Sequence, residues 1–379
     1  MSGLLDVARS LEPLIVACAD DLEVTRRLPG ALIDALYESG VFLAFTPHEV
    51  GGREVDLLEW LDMIEELSRL NGSVGWNAFI NSGITPLPAA TMRRILAGGR
   101  WISAGSLGRV AGRARRVDGG YRVSGRWPFT SGAPFATYLF AGSLLYDGAD
   151  APVVDPSTGE QTVVGMVFPA SDVTIHDTWD GLGLRGTTSV DFEVEDVFVP
   201  DEFVADDLIA GPYPGPLFRG PYFVLMGHAA HAVGIARRGI EAFVDLVHRA
   251  RARPVHGSRR QARLGQQQAH QVAVAKADSM VRSARLFAWD AAERGWRRAQ
   301  AGEEIRPEDR ALMSQAMIHA VQTAREAVRL LFECAGTSAV RRGQALERCY
   351  RDLSTAAQHT LVVETSYETI GDYYLTRGE

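Results

Sequence analysis

The pattern of apolar and polar positions divides the chain into three zones. Residues 1–98 show helical spacing, most clearly where apolar side chains recur at i, i+3, i+4, i+7 and i+10: Leu57, Trp60, Leu61, Ile64 and Leu67. Asn71 and Gly72 follow this segment and are expected to end its helix, because both residue types tolerate positive φ angles. Another short helix is expected over 91–98. The first zone is therefore predicted to be an N-terminal helical domain.

Residues 99–215 change to the two-residue alternation that is typical of half-buried strands. An Asp-Gly-Gly turn at 118–120 is a hairpin signal. Further strands are expected over 136–146 and 161–168, and apolar residues alternate with acids from 190 until Pro200. This zone is predicted to be a middle β-domain.

Residues 216–379 return to helical spacing. Long helices are predicted over 221–250, 267–299 and 307–335, and a fourth over about 350–376. Four long helices with short connections indicate a bundle. The predicted fold class is α+β, mainly α, with an N-terminal helical domain, a middle β-domain and a C-terminal four-helix bundle.

Composition and charge narrow the functional classes. The chain has 379 residues, of which 46% are hydrophobic and 23% charged, as is typical of a folded globular protein. A net charge of -8 argues against a nucleic-acid partner. The three cysteines are too far apart for a disulfide framework or a zinc motif. No apolar run approaches the ~18 residues of a membrane span, and no export signal is visible, so we expect a cytoplasmic protein with no membrane partner.

Two local patterns suggest sites that their context does not favour. Residues 181–186 fit G-x-G-x-x-G, but a strand rather than a helix is expected to follow, which argues against a dinucleotide-binding fold. His228 and His231 have the spacing of a helical metal pair, yet the sequence contains no Glu-x-x-His motif, so no metal site is predicted. The two histidines either serve the structure or line a pocket.

Four short motifs occur in a characteristic order. They are TPHEVGG at 46–52, GRWPFTSG at 125–132, GLRGTTS at 183–189 and RCYRD at 348–352. Together they resemble a loop, two β-domain signatures and the arginine–aspartate motif of the acyl-CoA dehydrogenase superfamily. The resemblance covers nearly the whole chain. It implies the three-part fold predicted above and a homotetramer built through the C-terminal bundle.

The carboxylate base of the superfamily's dehydrogenases has no clear counterpart. In the commonest family arrangement it lies nine residues after the motif arginine, and Thr360 holds that position after Arg351. A second family placement, near 228–234, contains no acid, and Glu241 lies too far along. Glu364 lies about one helical turn beyond Thr360 if the segment is helical. A dehydrogenase with a displaced base therefore stays an alternative.

Other runs resemble the oxygenase components of two-component flavin monooxygenases. They are NGSVGW at 71–76, FECAGTSA at 332–339 and RDLSTAAQH at 351–359. This group includes hydroxylases of 4-hydroxyphenylacetate and of steroid-derived phenols, dibenzothiophene monooxygenases and amino-sugar N-oxygenases. The resemblance implies hydroxylation of a small aromatic or heteroaromatic substrate by O2 and reduced FMN or FAD, through a flavin C4a-hydroperoxide. A separate NAD(P)H-dependent reductase would supply the flavin. An N-oxygenase and a non-catalytic binding protein of the same fold stay alternatives.

The resemblance also implies roles for single residues. Ser131, with Thr130 beside it, is expected on the flavin N5 side. His359 is expected on the peroxide side and to handle substrate protons, because the unperturbed pKa of histidine is near working pH; the alternative is a satisfied core histidine. Trp127 and Phe129 either pack on the isoalloxazine or alternate into the core.

The remaining expected contacts lie further apart in sequence. Arg185 and Thr187 belong to the second β-domain signature and are candidate flavin contacts. Arg263 would bind the flavin phosphate, or else belongs to a solvated basic run. Gly336 and Thr337 would meet the cofactor of a neighbouring subunit. The substrate pocket is expected between the N-terminal helices, the β-domain and the first bundle helix, with these candidate lining residues: Trp76, Tyr222, His228 and His231.

Overall fold

Short helices form the first part of the chain in the computed structural model. They are α1 (Leu4–Ser10), α2 (Glu12–Ala17), α3 (Ala19–Thr25), α4 (Gly30–Glu38), α5 (Leu57–Leu70), α6 (Gly72–Ile80) and α7 (Ala89–Gly98). Helices α5 and α7 confirm the predictions made from apolar spacing. The structure describes residues 3–106, 110–148, 151–205, 207–209, 211–251 and 259–376. Side chains are described for the same residues apart from 250, 251 and 259–265.

Asn71 separates α5 from α6, but the reason expected from the sequence is wrong. Its φ angle is -160°, which is ordinary extended backbone. Its side chain instead accepts hydrogen bonds from the N–H groups of Ser73 and Val74, at 2.9 and 3.3 Å, and so caps a new helix. The apolar pattern did not predict this helix, α6, which carries Trp76.

Within the described residues, the middle of the chain forms one mixed sheet of eight strands. The strands are β1 (Ser103–Ser106), β2 (Gly112–Val117), β3 (Gly120–Thr130), β4 (Tyr138–Tyr146), β5 (Val163–Pro169), β6 (Thr174–His176), β7 (Val190–Pro200) and β8 (Val204–Ala205). Their order is β6-β7-β3-β2-β4-β5-β8, and β1 pairs with β4. The predicted hairpin joins β2 to β3, and Gly119 turns the chain with a φ angle of +76°.

The sheet has an aromatic core of its own. Trp127 on β3 is fully buried, and its ring lies 4.9 Å from Phe192 and 5.7 Å from Phe168, centroid to centroid. Its indole N–H donates to the carbonyl of Gly142 at 2.9 Å. Of the two alternatives for Trp127, the structure therefore shows the core residue. A fully buried side chain in the sheet has no surface left for an isoalloxazine.

Helices form the rest of the chain. They are α8 (Tyr222–Leu225), α9 (Gly227–Arg251), α10 (Arg259–Gln300), α11 (Pro307–Ala335), α12 (Ala345–Ala356) and α13 (Tyr367–Thr376). Helices α9, α10 and α11 pack against one another, and α12 packs against α9 and α11. The bounds predicted for α11 are confirmed, with Pro307 in its first turn. None of the described helices combines the length and apolar character needed to cross a membrane.

The prediction of one long last helix over 350–376 is wrong. Helix α12 ends at Ala356, and the chain passes through turns before a 3-10 turn at Glu364–Ser366 and helix α13. The β-branched residues Thr360, Val362 and Val363 lower helix propensity here. The break also removes the ground for placing Glu364 one helical turn beyond Thr360.

Ion pairs join the N-terminal helices to the bundle. Arg285 of α10 contacts Asp62 and Glu65 of α5, each at 2.6 Å. The indole N–H of Trp289 also donates to Asp62, and Arg237 of α9 pairs with Glu65. A network of several part-buried charges holds its geometry better than an isolated surface pair. These contacts fix α5, and with it α6, against the bundle.

Candidate active site

Trp76 lies where the helical parts of the chain meet the sheet. Its helix, α6, packs against α9, against α12 and against the turn that precedes β7. The side chain is buried, and its indole N–H donates to the hydroxyl of Ser131 at 2.9 Å. On the bundle side, its ring centroid lies 5.4 Å from His228, 5.1 Å from His231 and 6.0 Å from His359. The structure thus brings five of the predicted site residues together, and we call these the Trp76 cluster.

Polar side chains of α6 fix this helix to the sheet. The hydroxyl of Ser73 accepts from the N–H of Gly186 at 3.1 Å, and Asn77 donates to the carbonyl of the same residue at 3.2 Å. Just after the helix, Asn81 donates to the carbonyl of Ser131 at 3.2 Å. These buried hydrogen bonds restrict the helix to one position, while the amide oxygens of Asn77 and Asn81 have no hydrogen-bond partner among the described residues. Trp76 is therefore held rigidly beside Ser131.

Three hydroxyl groups form a row behind Trp76. Ser131 lies 2.7 Å from Ser189, Ser189 lies 2.7 Å from Thr187, and the Thr187 hydroxyl lies 2.8 Å from the carbonyl of Leu184. All three hydroxyl-bearing side chains are buried. They meet because β3 and β7 are paired neighbours, so that the end of one strand adjoins the start of the other.

The turn that carries this row is clamped by the arginine–aspartate motif of α12. The N–H of Leu184 donates to Asp352 at 2.6 Å, and the N–H of Gly183 donates to Thr355 at 2.9 Å. A Cβ at position 183 would lie 2.3 Å from the backbone of Arg351, so only glycine allows this close approach. Leu184 has a φ angle of +51°, a strained value for leucine that the clamp maintains.

Burial of Asp352 changes its acidity. Desolvation raises the pKa of this carboxyl to about 7, against the lowering effect of the Leu184 N–H, and the nearby carboxylate of Glu23 raises it further. The carboxyl lies behind the turn rather than at Trp76. It is therefore suited to holding the turn.

The histidines of the Trp76 cluster are neutral imidazoles at pH 7. Burial lowers the pKa of His231 and of His359 to about 4. Burial also lowers the pKa of His228 well below its usual range, and the two neighbouring imidazoles lower it further. The expectation that His359 titrates near working pH is therefore wrong. Among the described residues, no three His, Cys, Asp or Glu side chains are arranged to hold a metal ion.

Hydrogen bonds identify the protonated nitrogen on two of these rings. Nε2 of His231 donates to the carbonyl of Gly72 at 2.9 Å, so this nitrogen carries the proton. Nδ1 of His359 accepts from the N–H of Leu361 at 3.4 Å, so its proton is on Nε2. His359 consequently offers an N–H donor, and His231 keeps an acceptor nitrogen.

Phe129 differs sharply from its neighbour Trp127. It has a φ angle of +58°, lies at an irregularity in the pairing of β3 with β7, and is 72% exposed. Its ring meets Trp179 edge to face at 6.5 Å. A large aromatic ring held outward in a strained conformation does little for the fold. Its position fits the flavin-packing alternative better than the core alternative.

The residues around this turn fit a flavin. The Thr130 hydroxyl is buried and has no hydrogen-bond partner among the described residues, so an unfilled polar group lies directly beside Ser131. The adjacent Ser131 presents a hydroxyl, and Phe129 presents an exposed aromatic face. A flavin offers a ring for stacking and edge atoms for hydrogen bonds, which are the partners that these groups can take.

Other predicted residues lie away from the Trp76 cluster. The ring centroid of Tyr222 lies 5.4 Å from the guanidinium carbon of Arg310, outside the Trp76 cluster, and its role as a pocket-lining residue stays a prediction. Arg185 donates to Asp180 at 2.6 Å and to two backbone carbonyls. These contacts hold the Arg185 side chain against the protein, and its expected flavin contact stays a prediction.

Three further residues are not connected to the cluster. Gly336 and Thr337 form an exposed 3-10 turn just after α11. The backbone of Arg263 lies in α10, but its side chain is outside the described residues. The roles expected for all three stay predictions.

Sequence reasoning missed Ser189 and did not single out Asp352. Both belong to motifs that it quoted, and the run of hydroxyl residues at 187–189 was the signal for Ser189.

The displaced-base alternative gains no support. Glu364 is exposed, and Glu241 is paired with Arg69 and Arg238. No carboxylate is among the described contacts of Trp76 and the histidines.

Comparison with known proteins places the chain in a family. Residues 6–91 match the model of the acyl-CoA dehydrogenase N-terminal domain, and residues 226–364 match the model of the C-terminal domain. The chain is 30% identical over 357 residues to indole-3-acetate monooxygenase of Pseudomonas putida, which covers 91% of this chain and 87% of that protein. The chain belongs to the flavin-dependent monooxygenases of the acyl-CoA dehydrogenase fold. It is an oxygenase component of a two-component monooxygenase.

Other flavin-dependent monooxygenases are similar over nearly the whole chain. The oxygenase component of an FADH2-dependent resorcinol hydroxylase from a Rhizobium strain is 28% identical, over 98% of this chain and 91% of that protein. The crystal structure of 3-HSA hydroxylase from Rhodococcus sp. RHA1 is 25% identical and superposes with a TM-score of 0.87, over 99% of this chain and 97% of that one. These matches confirm the predicted fold class.

Proposed function

We propose that this monooxygenase hydroxylates a small aromatic or heteroaromatic compound, using O2 and reduced FMN or FAD from a separate NAD(P)H-dependent reductase. The observation that carries the proposal is the Trp76 cluster. Through Trp76 it joins the hydroxyl of Ser131, just after β3, to three neutral histidines on the bundle side. Relatives whose names specify indole-3-acetate and resorcinol as substrates support an aromatic substrate.

The cluster suits a flat apolar substrate. The rings of Trp76, Phe79 and His228 meet edge to face, with centroids 4.9 to 5.4 Å apart, a geometry that another aromatic ring can extend. The pKa values lowered by burial leave no positive charge at pH 7 on the histidines. Uncharged aromatic side chains favour binding of an aromatic ring over binding of an acyl-CoA thioester, which carries charged phosphates.

When bound, reduced flavin supplies the electrons that activate O2. Phe129 would pack on its ring system, and Ser131 and Thr130 would bind its edge. His359 would donate a hydrogen bond from its Nε2–H to the reacting oxygen or to a substrate hydroxyl. Closure by Trp76 and His228 would exclude water, which limits wasteful release of hydrogen peroxide.

The assay for this function compares oxygen insertion with peroxide release. The protein, a flavin reductase, NADH and a panel of phenols and indoles are incubated under labelled dioxygen. We expect one labelled oxygen atom in a product, and less hydrogen peroxide than in the substrate-free reaction. Release of peroxide equal to NADH consumption with every aromatic compound would contradict the proposal.

A second assay separates hydroxylation from acyl-CoA oxidation. The protein is loaded with oxidised FAD without oxygen, and acyl-CoA thioesters of several chain lengths are added. We expect no loss of flavin absorbance, because neither Glu364 nor Glu241 lies in the Trp76 cluster. Bleaching by a thioester would instead favour a dehydrogenase.

The quaternary structure and compartment complete the proposal. We expect a homotetramer built through the bundle, in which Gly336 and Thr337 contact the flavin of a neighbouring subunit and Arg263 its phosphate. Sedimentation analysis tests the tetramer.

Cytoplasmic placement follows from the need for NAD(P)H at the reductase. The three zones, 1–98, 99–215 and 216–379, stay our proposed domains.

A further inference from the structure

The hydrogen bonds in the row of hydroxyl groups behind Trp76 all run in one direction, from Ser131 to the carbonyl of Leu184. The carbonyl of Leu184 carries no proton, so the Thr187 hydroxyl, 2.8 Å away, must donate to it. The Thr187 oxygen can then only accept from Ser189, and the Ser189 oxygen can only accept from Ser131. Each distance is 2.7 Å, which requires a proton between the two oxygens. The protons of all three hydroxyls therefore point away from Trp76 and towards Leu184.

The opposite end of the row is compatible with this direction and fixes one further contact of Ser131. The indole N–H of Trp76 is a donor only, so Ser131 accepts from it at 2.9 Å. A hydroxyl has one proton and two lone pairs. The proton of Ser131 is given to Ser189, and one lone pair is taken by Trp76. One lone pair is left, so Ser131 can offer a ligand an acceptor and no donor.

The Leu184 end of the row prevents the hydrogen bonds from reversing their direction. Leu184 is held by the hydrogen bond from its N–H to Asp352 at 2.6 Å, and its carbonyl also accepts from the indole of Trp179 at 3.1 Å. A fixed carbonyl at the end of the row determines every proton position before it. The orientation of the Ser131 hydroxyl is thus set by residues that do not touch the site themselves.

We propose that Ser189 and Thr187 are positioning residues that hold Ser131 as a hydrogen-bond acceptor, so that the site binds reduced flavin in preference to oxidised flavin. The proposal rests on the proposed function, together with the placement of Ser131 on the flavin N5 side that the family resemblance implies. Reduced flavin carries a hydrogen on N5 and can donate to Ser131. Oxidised flavin has a bare N5, which would set two acceptors against each other. One hydrogen bond gained or lost corresponds to about a tenfold change in Kd.

The test measures Kd for oxidised and for reduced FAD, the latter without oxygen, in the complete protein and its variants. Ser189→Ala removes the acceptor of the Ser131 proton, which can then turn to the N5 of oxidised flavin. We expect the ratio of the oxidised to the reduced Kd to fall about tenfold. Thr187→Val frees the Ser189 proton and should also lower the ratio, whereas Thr187→Ser keeps the hydroxyl row and should preserve it.

The outcomes separate the two proposals. If the unchanged protein binds neither form of flavin, the proposed function fails. If it binds reduced flavin but Ser189→Ala and Thr187→Val keep the original ratio, the function stands and the positioning proposal is overturned. Circular dichroism checks folding of each variant. If Ser189→Ala does not fold, the pair of Thr187 variants decides, because the serine variant retains the hydroxyl that the valine variant lacks.

Discussion

The imidazole rings of His228 and His359 lie 4.5 Å apart, centroid to centroid, at an angle of 42°. One ring comes from helix α9 and the other from the break after α12, so the broken helix is what brings them together. Two imidazoles this close cannot both become imidazolium cations without strong repulsion. Their contact disfavours a second positive charge and burial lowers the pKa of both rings, so both are neutral in the folded protein at pH 7, which has consequences for acid stability.

Stability is expected to fall as the pH drops from about 6.5 to about 4. Burial lowers the pKa of His231 and His359 to about 4 in the folded protein, whereas the unfolded chain takes up their protons near 6.5. Above pH 6.5 the two imidazoles are neutral in both the folded and the unfolded protein, so they do not lower the free energy of unfolding. For His231 the full shift corresponds to about 3 kcal/mol. Thermal unfolding midpoints between pH 7.5 and 4.5 measure the effect.

The variant His231→Gln tests the source of this acid sensitivity. Glutamine can still donate to the carbonyl of Gly72 but does not titrate. We expect its unfolding midpoint to depend less steeply on pH over the same range. An identical slope in the variant and the unchanged protein would show that other groups cause the acid sensitivity.

Asp352 is expected to change the pH dependence of the free energy of unfolding in the opposite direction to the histidines. Burial raises its pKa to about 7, so between pH 4 and 7 the folded state binds more protons than the unfolded state. Its contribution to stability is present at low pH and is lost as the pH rises through 7. Asp352→Asn removes this opposing effect while its amide oxygen can still accept from Leu184. We expect steeper acid destabilisation in this variant.

Asp352→Ala separates titration from the clamp on the turn. Alanine leaves the N–H of Leu184 buried without its acceptor, which costs about 1–3 kcal/mol. At pH 7.5 the unfolding midpoint should fall for the alanine variant and stay normal or rise for the asparagine variant, which keeps the acceptor without the buried charge. Equal midpoints for the two variants would exclude the clamp.

His359→Ala is expected to uncouple the reaction while preserving flavin binding. The variant loses the Nε2 donor, and loss of a positioned proton donor typically lowers the rate by about 10²-fold or more. Product per NADH should fall and hydrogen peroxide should rise. His319→Ala is the matched control, since His319 is half-buried beside Phe287 on the α10–α11 interface. Equal coupling in both variants would remove His359 from the reaction.

The fold could be predicted where local pattern and tertiary packing agree. Helices α5 and α11 have one apolar face each, and their predicted bounds match the structure closely. The last helix could not be predicted this way, because its apolar spacing continues through the break after Ala356. Asn71 ended a helix as expected, but through a capping hydrogen bond that only the fold shows.

The site was predictable only as a set of residue types. The sequence placed Trp76, Ser131 and His359 among the candidates, and the structure brings them together. It could not separate Trp127 from Phe129, because which of two nearby strand residues faces outward depends on an irregularity in strand pairing. The pKa of His359 depends on burial by distant parts of the chain, so it could not be derived from local sequence.

Phe129→Gly should separate stability from flavin affinity. The left-handed backbone at position 129 destabilises the folded state by about 1–2 kcal/mol for a residue such as phenylalanine, and glycine removes this strain. Glycine also makes the unfolded chain more flexible, which offsets about 0.5–1 kcal/mol of the stabilisation. Because the ring is 72% exposed, its removal sacrifices little burial. We therefore expect an unfolding midpoint that is unchanged or slightly higher. The Kd for reduced flavin should rise about tenfold, because the aromatic contact is lost.

Phe129→Tyr is the matched control for this change. It keeps both the ring and the strained φ angle, so flavin affinity and stability should both stay close to normal. Equilibrium binding without oxygen and thermal unfolding measure the two quantities on the same preparations. A lower unfolding midpoint for Phe129→Gly with unchanged flavin affinity would mean that the ring packs against protein, such as a neighbouring subunit, and does not face the flavin.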